Sequence, residues 1–173
     1  MTELRPVDPD ADAELLHGWV TRPAARFWDM QQASVDDVRR AYAAIDGSAH
    51  HRAFIGLVDG EPAFLTETYD PAHSDLAGVY DVRAGDLGMH VLVAPASTPV
   101  HGFTRQVMHA VMRHCFADDS VTRVVVEPDA RNDKVHRLNE HVGFVVEREV
   151  ELPDKTALLS FCTRERYQRR TTT

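Results

Sequence analysis

The sequence predicts an α/β domain, one mixed β-sheet flanked by helices. Short strand-like segments alternate with segments of helical period. Gly and Pro fall between them as stops. The stretch 87–126 reads as strand, helix, strand, a unit whose strands can pair in parallel through a right-handed crossover.

Asp10 to Val20 reads as a helix with Leu15, Leu16, Trp19 and Val20 near one face, and Pro23 interrupts it. Ser34 is an N-cap, Asp37 completes a capping box, and the helix runs to about Ile45 before Gly47. Ala53 to Val58 and Pro62 to Tyr69 are strands joined by the Asp59-Gly60 turn. Residues 70–86 form an irregular connection. Leu87 to Ala94 is a strand stopped by Pro95. Gly102 to Phe116 has helical spacing, with Phe103, Val107, Ala110, Val111 and His114 on one face. Val121 to Glu127 is a buried, β-branched strand ended by Pro128. Asn132 to His141 is a helix that Gly143 terminates. Phe144 to Leu152 and Thr156 to Cys162 are the last strands. Arg169 to Thr173 reads as a frayed tail. The expected order is α-α-β-β-β-α-β-α-β-β.

The chain has 173 residues, with 43% hydrophobic and 27% charged. That suits a single folded domain over residues 1–173. Its 19 Lys+Arg against 27 Asp+Glu give a formal net charge of −8. An acidic balance disfavours nucleic acid and anionic membranes as main partners, but not a small anionic ligand held locally. No segment approaches the roughly 20 apolar residues that span a bilayer. The acidic N-terminus lacks the apolar core of a leader. Cys115 and Cys162 lie outside any Cys-x-x-Cys pair, so no disulfide framework or zinc site is expected. The default is a reduced, cytoplasmic enzyme or binding domain.

The segment from Glu127 to Phe144 carries the most chemistry. Asn132, Val135 and Gly143-Phe144 follow a buried strand in a pattern that resembles the Gcn5-related N-acetyltransferase superfamily. The position that is often a proton-donating Tyr there falls on Asn139, so the thiolate acid has no assigned residue. The resemblance implies that family's fold, with central strands splayed apart, and an acyl-CoA donor. It makes Gly102–Phe116 the cofactor helix, preceded by Pro99-Val100-His101. A helix N-terminus exposes unpaired N–H groups that suit a pyrophosphate. Gly102, Phe103, Thr104 and Arg105 are its expected cradle, with His101 adding positive charge. Val91 and Val93 would line the pantetheine arm. Asn132 and His136, four apart on one helical face, would touch it too. Helix capping and a surface position are their structural alternatives.

A narrower resemblance adds Trp19, Pro23, Phe27-Trp28-Asp29-Met30, Gly88-Met89-His90, Gly102-Phe103-Thr104-Arg105 and Glu127-Pro128-Asp129-x-Arg131-Asn132. Over about residues 15–165 these are similar to the N-acyltransferases of hydroxamate siderophore biosynthesis. That branch implies His90 and Asp129 as the catalytic pair. A carboxylate on one imidazole nitrogen fixes the tautomer and raises the basicity of the other. Phe27 and Trp28 would wall the acceptor pocket, or simply be core. His50-His51 reads as a solvated loop.

The expected reaction transfers an acetyl or succinyl group from acetyl-CoA or succinyl-CoA to an N-hydroxylated diamine or lysine. N-hydroxycadaverine and N6-hydroxylysine lead as acceptors, and a siderophore synthetase is a possible partner. No metal is required, because a thioester is already activated. An aminoglycoside 6′-N-acetyltransferase and a non-catalytic acyl-CoA-binding domain are the alternatives.

Overall fold

A computed structural model describes residues 1–96, 98 and 100–171. In chain order the elements are β1 (Thr2–Pro6), α1 (Pro9–Val20), a 3-10 helix (Pro23–Trp28), α2 (Val35–Asp46), β2 (His51–Val58) and β3 (Glu61–Tyr69). A short 3-10 turn (Pro71–His73), β4 (Asp86–Val93), α3 (Phe103–Cys115), β5 (Arg123–Val126) and α4 (Asp133–Val142) follow. The chain closes with β6 (Val145–Glu151), β7 (Thr156–Thr163) and α5 (Arg164–Thr171). The strands form one mixed sheet in the order β1-β2-β3-β4-β5-β7-β6.

The mixed sheet flanked by helices is as the sequence predicts. Besides the two 3-10 segments, one strand and one α-helix are additions. β1 pairs antiparallel with β2, from Thr2↔Val58 to Pro6↔Phe54. Its Leu4 is flanked by Glu3 and Arg5, so hydrophobic patterning hides it. α5 takes up Arg169 to Thr171 of the expected frayed tail. Five of its eight residues are charged, and it offers only Tyr167 to the interior. Thr172 and Thr173 of that expectation lie outside the described residues.

The chain folds into two compact units. The first comprises Met1–Glu67 and Val91–Phe103. Its core gathers Leu16, Trp19 and Val20 of α1, Val38 and Tyr42 of α2, and Ala53, Ile55 and Leu65 of β2 and β3. Ser34 and Asp37 form the expected capping box on α2. Asp59 and Gly60 both have positive φ, 52° and 87°. That is the turn geometry Asp-Gly supplies in a two-residue hairpin loop. Gly56 is required by space: a Cβ there would lie 2.0 Å from Phe64 Cζ.

The second unit comprises Thr68–His90 and Thr104–Thr173. Its core joins Tyr69, Leu76, Val125, Val150, Ala157 and Leu159. β4 pairs parallel with β5 over Asp86↔Arg123, Leu87↔Val124 and Gly88↔Val125. β5 pairs antiparallel with β7, from Arg123↔Thr163 to Val126↔Ser160. Cys115 and Cys162 are buried at 1% and 0% exposure. Burial pushes both thiols up to about 12, so neither supplies a thiolate near neutral pH.

Candidate active site

The backbone ladder between β4 and β5 stops at Gly88↔Val125. Side chains alternate along strands, so Asp86, Gly88 and His90 share a face with Arg123, Val125 and Glu127. At the start of the ladder Arg123 donates twice to Asp86, at 2.7 Å each. Two residues past its last pair, the His90 ring and the Glu127 carboxylate hydrogen-bond through Nε2 and Oε1. Side-chain bonding continues where backbone pairing has ended, as expected of strands that splay apart.

Gly88 is what lets a third group in. A Cβ there would lie 2.1 Å from Cε2 of Tyr69, so the Tyr69 ring lies against bare backbone. From that position its hydroxyl donates to Glu127 Oε2 at 2.5 Å. The same ring lies 4.9 Å from the His90 ring, centroid to centroid, tilted by 40°.

Glu127 is 6% exposed and His90 is more open, its side chain 36% exposed. Burial pushes the Glu127 carboxyl up. The His90 ring, the Tyr69 hydroxyl and the charge of Lys155 outweigh it and hold the group below the ordinary Glu range. Glu127 therefore stays ionised at neutral pH. An ionised carboxylate only accepts, so a neutral His90 carries its hydrogen on Nε2 and its lone pair on Nδ1. The arrangement is an imidazole whose tautomer is set by a buried carboxylate.

The expected partner of His90 was Asp129, and here the structure differs. Asp129 is 7% exposed, and its carboxylate holds the Arg131 guanidinium from Nε (2.9 Å) and NH2 (2.8 Å). It also accepts from the Arg131 backbone N–H at 2.9 Å. The Arg131 hydrogen bonds, against some desolvation, lower its pKa to about 2. The reason for the exchange is register. His90 stands level with Glu127, two residues past Gly88↔Val125, whereas Asp129 lies two further on and bridges to Ala157.

The other expected residues are distributed as follows. Val91 and Val93 continue β4, half-buried, in the first unit. Gly102 has φ 82° with open space around a hypothetical Cβ, and leads directly into α3. His101 is exposed and Phe103 half-buried. Thr104 and Arg105 are exposed on the first turn of α3, which carries no acidic residue. Pro99 lies outside the described residues. Asn132 caps α4, its side chain accepting from Val135 N at 3.4 Å. His136 Nε2 lies 3.0 Å from the Asp129 backbone oxygen. Phe27 and Trp28 end the first unit's 3-10 helix. The Arg26 guanidinium sits 4.6 Å from the Phe27 ring centroid, and Trp28 packs against that unit's core. His51, expected in a loop, opens β2 with Nε2 3.1 Å from Glu67 Oε2. Asn139 is 4% exposed, and its Oδ1 has no hydrogen-bond partner among the described residues. A carboxamide is no proton donor to a thiolate at neutral pH.

The positive-φ glycine, the open space over it and the acid-free first turn together suit a bound anion such as a pyrophosphate. Comparison with known proteins gives this a context. Residues 8–152 match the family described as acetyltransferase (GNAT) domain. The chain belongs to the GNAT acetyltransferase family. Among curated GNAT relatives, lysine N-acyltransferase MbtK of Mycobacterium sp. is 32% identical over 142 residues. That match covers 81% of this chain but only 58% of the relative, so the chain spans little more than half its length. The N-hydroxyputrescine acetyltransferase of Acinetobacter baumannii is 26% identical over 95% of this chain and 78% of its own. An aminoglycoside N(6')-acetyltransferase type 1 of Klebsiella pneumoniae is 25% identical over 91% of this chain and 81% of its own. Among solved structures, an uncharacterized protein of Bacillus halodurans superposes with a TM-score of 0.92 at 27% identity, covering 99% of this chain and 88% of that one.

Two residues of this GNAT domain escape sequence reasoning, Glu127 and Tyr69. Glu127 carried a usable signal: it is two residues from Asp129, on the same strand face, and nearer the ladder. Tyr69 carried none, because nothing local ties the end of β3 to Gly88.

Proposed function

We propose that this chain is an acyl-CoA-dependent N-acyltransferase acting on a small N-hydroxylated amine, in the formation of a hydroxamate for siderophore biosynthesis in the cytoplasm. The observation that carries the chemistry is the His90–Glu127 hydrogen bond, backed by Tyr69. The relatives named for lysine and N-hydroxyputrescine support the acceptor class. Acetyl and succinyl groups are the acyl donors of first choice. N-hydroxycadaverine and N6-hydroxylysine are the acceptors.

The acyl thioester supplies an activated carbonyl carbon. Gly102, Phe103, Thr104 and Arg105 hold its pyrophosphate, with His101 alongside, and Val91 and Val93 face the pantetheine arm. The acceptor nitrogen attacks the carbonyl carbon. As the C–N bond forms, His90 Nδ1 takes the proton from nitrogen, and the C–S bond breaks with the electron pair leaving on sulfur. A hydroxylamine nitrogen titrates well below an alkylamine, so its neutral form is abundant near pH 7. The base then contributes about 10²–10⁴-fold. Glu127 is a positioning residue: it holds the His90 tautomer and stabilises the imidazolium. Asp129 is no longer the orienter of the histidine and serves as a substrate anchor. Phe27 and Trp28 are assigned to the acceptor wall.

The test is a turnover assay with acetyl-CoA and succinyl-CoA against N6-hydroxylysine, N-hydroxycadaverine, N-hydroxyputrescine and kanamycin. Hydroxamate formation with kcat/KM highest on a hydroxylated amine supports the reading. Preferred acetylation of kanamycin overturns it in favour of an aminoglycoside acetyltransferase, the reading that the Klebsiella pneumoniae relative favours. CoA binding without turnover on any amine leaves a binding domain.

A further inference from the structure

α4 buries two side chains, Asn139 and Val142. Val142 is apolar and suits the interior. Asn139 is a carboxamide at 4% exposure, and among the described residues its Oδ1 meets no donor. A buried polar atom without a partner has given up water for nothing, and native folds rarely keep one unless a bound group completes it. Helix capping does not account for this side chain. The N-cap is Asn132, and at the other end it is the Asn139 backbone oxygen that accepts from Gly143 N (3.2 Å) and Phe144 N (3.0 Å).

Two contacts fix where along the sheet the carboxamide lies. Near the start of α4, His136 Nε2 lies 3.0 Å from the Asp129 backbone oxygen. At its end, Cys162 Sγ lies 3.7 Å from the Val142 oxygen, and Cys162 pairs with Val124 between β7 and β5. α4 therefore runs back along β5 from Asp129 towards Val124, over the face that carries the Val124 and Cys162 side chains. Asn139 stands midway between His136 and Val142, which puts it level with Val126 and Glu127. That is just past Gly88↔Val125, where β4 and β5 part. Alternation sets Val124 on one face and Val125 and Glu127 on the other. The His90–Glu127 pair thus stands on one face of the parting strands, and Asn139 is level with it on the opposite face.

The chemistry of Oδ1 selects what meets it. A carboxamide oxygen accepts, so its partner is an N–H or O–H donor. A departing thiolate only accepts and does not fit. The pantetheine arm of an acyl-CoA carries secondary amides, and the N–H of its last amide is joined to the thioester sulfur by a short ethylene spacer. A thioester brought to His90 carries that N–H with it to the place where the strands part. We propose that Asn139 is a donor-binding residue, its Oδ1 accepting a hydrogen bond from the last pantetheine amide. This rests on the acyl-CoA donor of the reading above and adds to it a side-chain contact on the face opposite His90.

Calorimetry and urea unfolding test this without turnover. CoA and 3′,5′-ADP are titrated into the wild-type chain, Asn139→Leu and Asn139→Ala. 3′,5′-ADP keeps the nucleotide and lacks the pantetheine arm, so the ratio of the CoA affinity to the 3′,5′-ADP affinity isolates the arm. Both variants lower that ratio about tenfold, the loss of one hydrogen bond. Ligand-free Asn139→Leu unfolds at or above the wild-type urea midpoint, because it removes a buried acceptor that the fold itself does not satisfy. Where leucine is too large for the site, Asn139→Ala carries the ratio by itself. A ratio equal to wild type in both variants overturns the proposal, and a lowered midpoint beside it assigns Asn139 to bonding within the fold. A wild-type chain that binds neither probe removes the donor and overturns both readings. CoA binding that responds to Asn139, with no turnover on any amine, overturns the function reading and leaves this one standing.

Discussion

His90 Nε2 and Glu127 Oε1 are hydrogen-bonded two residues beyond Gly88↔Val125, the last backbone pair of β4 and β5. The bond replaces a ladder rung with a side-chain rung at the point where the strands part. That placement joins a half-exposed imidazole to a carboxylate with 6% exposure. It sets the first prediction. His90→Ala lowers kcat by at least about 10²-fold if the imidazole is the base. Turnover near wild type removes it from that role.

Glu127→Gln separates positioning from simple packing. Losing a negative neighbour makes the imidazolium easier to deprotonate. The acid limb of the kcat/KM profile therefore moves to lower pH while the plateau falls. A merely structural Glu127 would lower the plateau and leave the limb where it was. The pH profile of the purified variant decides between them.

The helices and strands on either side of this pair were largely legible. Ser34 with Asp37, Asp59-Gly60 and Gly143 are local signals, and each turn or cap depends on a few adjacent residues. The branch motif pointed to His90 and Asp129, and the structure couples His90 to Glu127 instead. Which carboxylate meets an imidazole is a matter of register between strands 37 residues apart in sequence. Single-chain patterning does not set that offset. Tyr69 was missed for the same reason, since β3 reaches the site only through the sheet order. β1 and α5 escaped because their buried faces are too short to leave a period.

Gly88→Ala tests whether the Tyr69 ring needs the missing side chain. A Cβ would meet Cε2 at 2.1 Å, so the ring must leave its place over the strand. Overpacking of this kind costs about 1–3 kcal/mol. Urea unfolding of Gly88→Ala reports that loss. Tyr69→Phe keeps the ring and removes only the donation to Glu127, so it is milder in unfolding than Gly88→Ala. A Gly88→Ala chain as stable as wild type would mean that the ring moves aside freely.

The Asp86–Arg123 pair anchors the other end of the same ladder. The Asp86 side chain is 1% exposed and Arg123 15%, and Arg123 also stacks 4.2 Å from the Phe161 ring centroid. Asp86→Asn leaves a buried guanidinium without its counter-charge, which costs about 3–5 kcal/mol. Double replacement by apolar residues of similar volume recovers much of it, because the pair itself is costly to desolvate. The midpoints of the single and double variants in urea check this. A single variant as stable as the double would refute the buried-charge argument.

Asp129 contributes a defined part of the acid sensitivity. Its pKa falls from an ordinary 3.8 to about 2 in the fold, principally through the Arg131 hydrogen bonds. The unfolded chain therefore takes up this proton at higher pH than the folded one. The stabilisation is fully present above about 3.8 and is lost as pH falls through about 2. Arg131 is 81% exposed, so solvent screens the pair and the effect shrinks further with added salt. Asp129→Asn removes this titration. Its unfolding midpoint in urea lies below wild type at pH 5, and the two converge as pH drops below 3. A gap that stays constant across that interval would assign the loss to something other than the carboxylate.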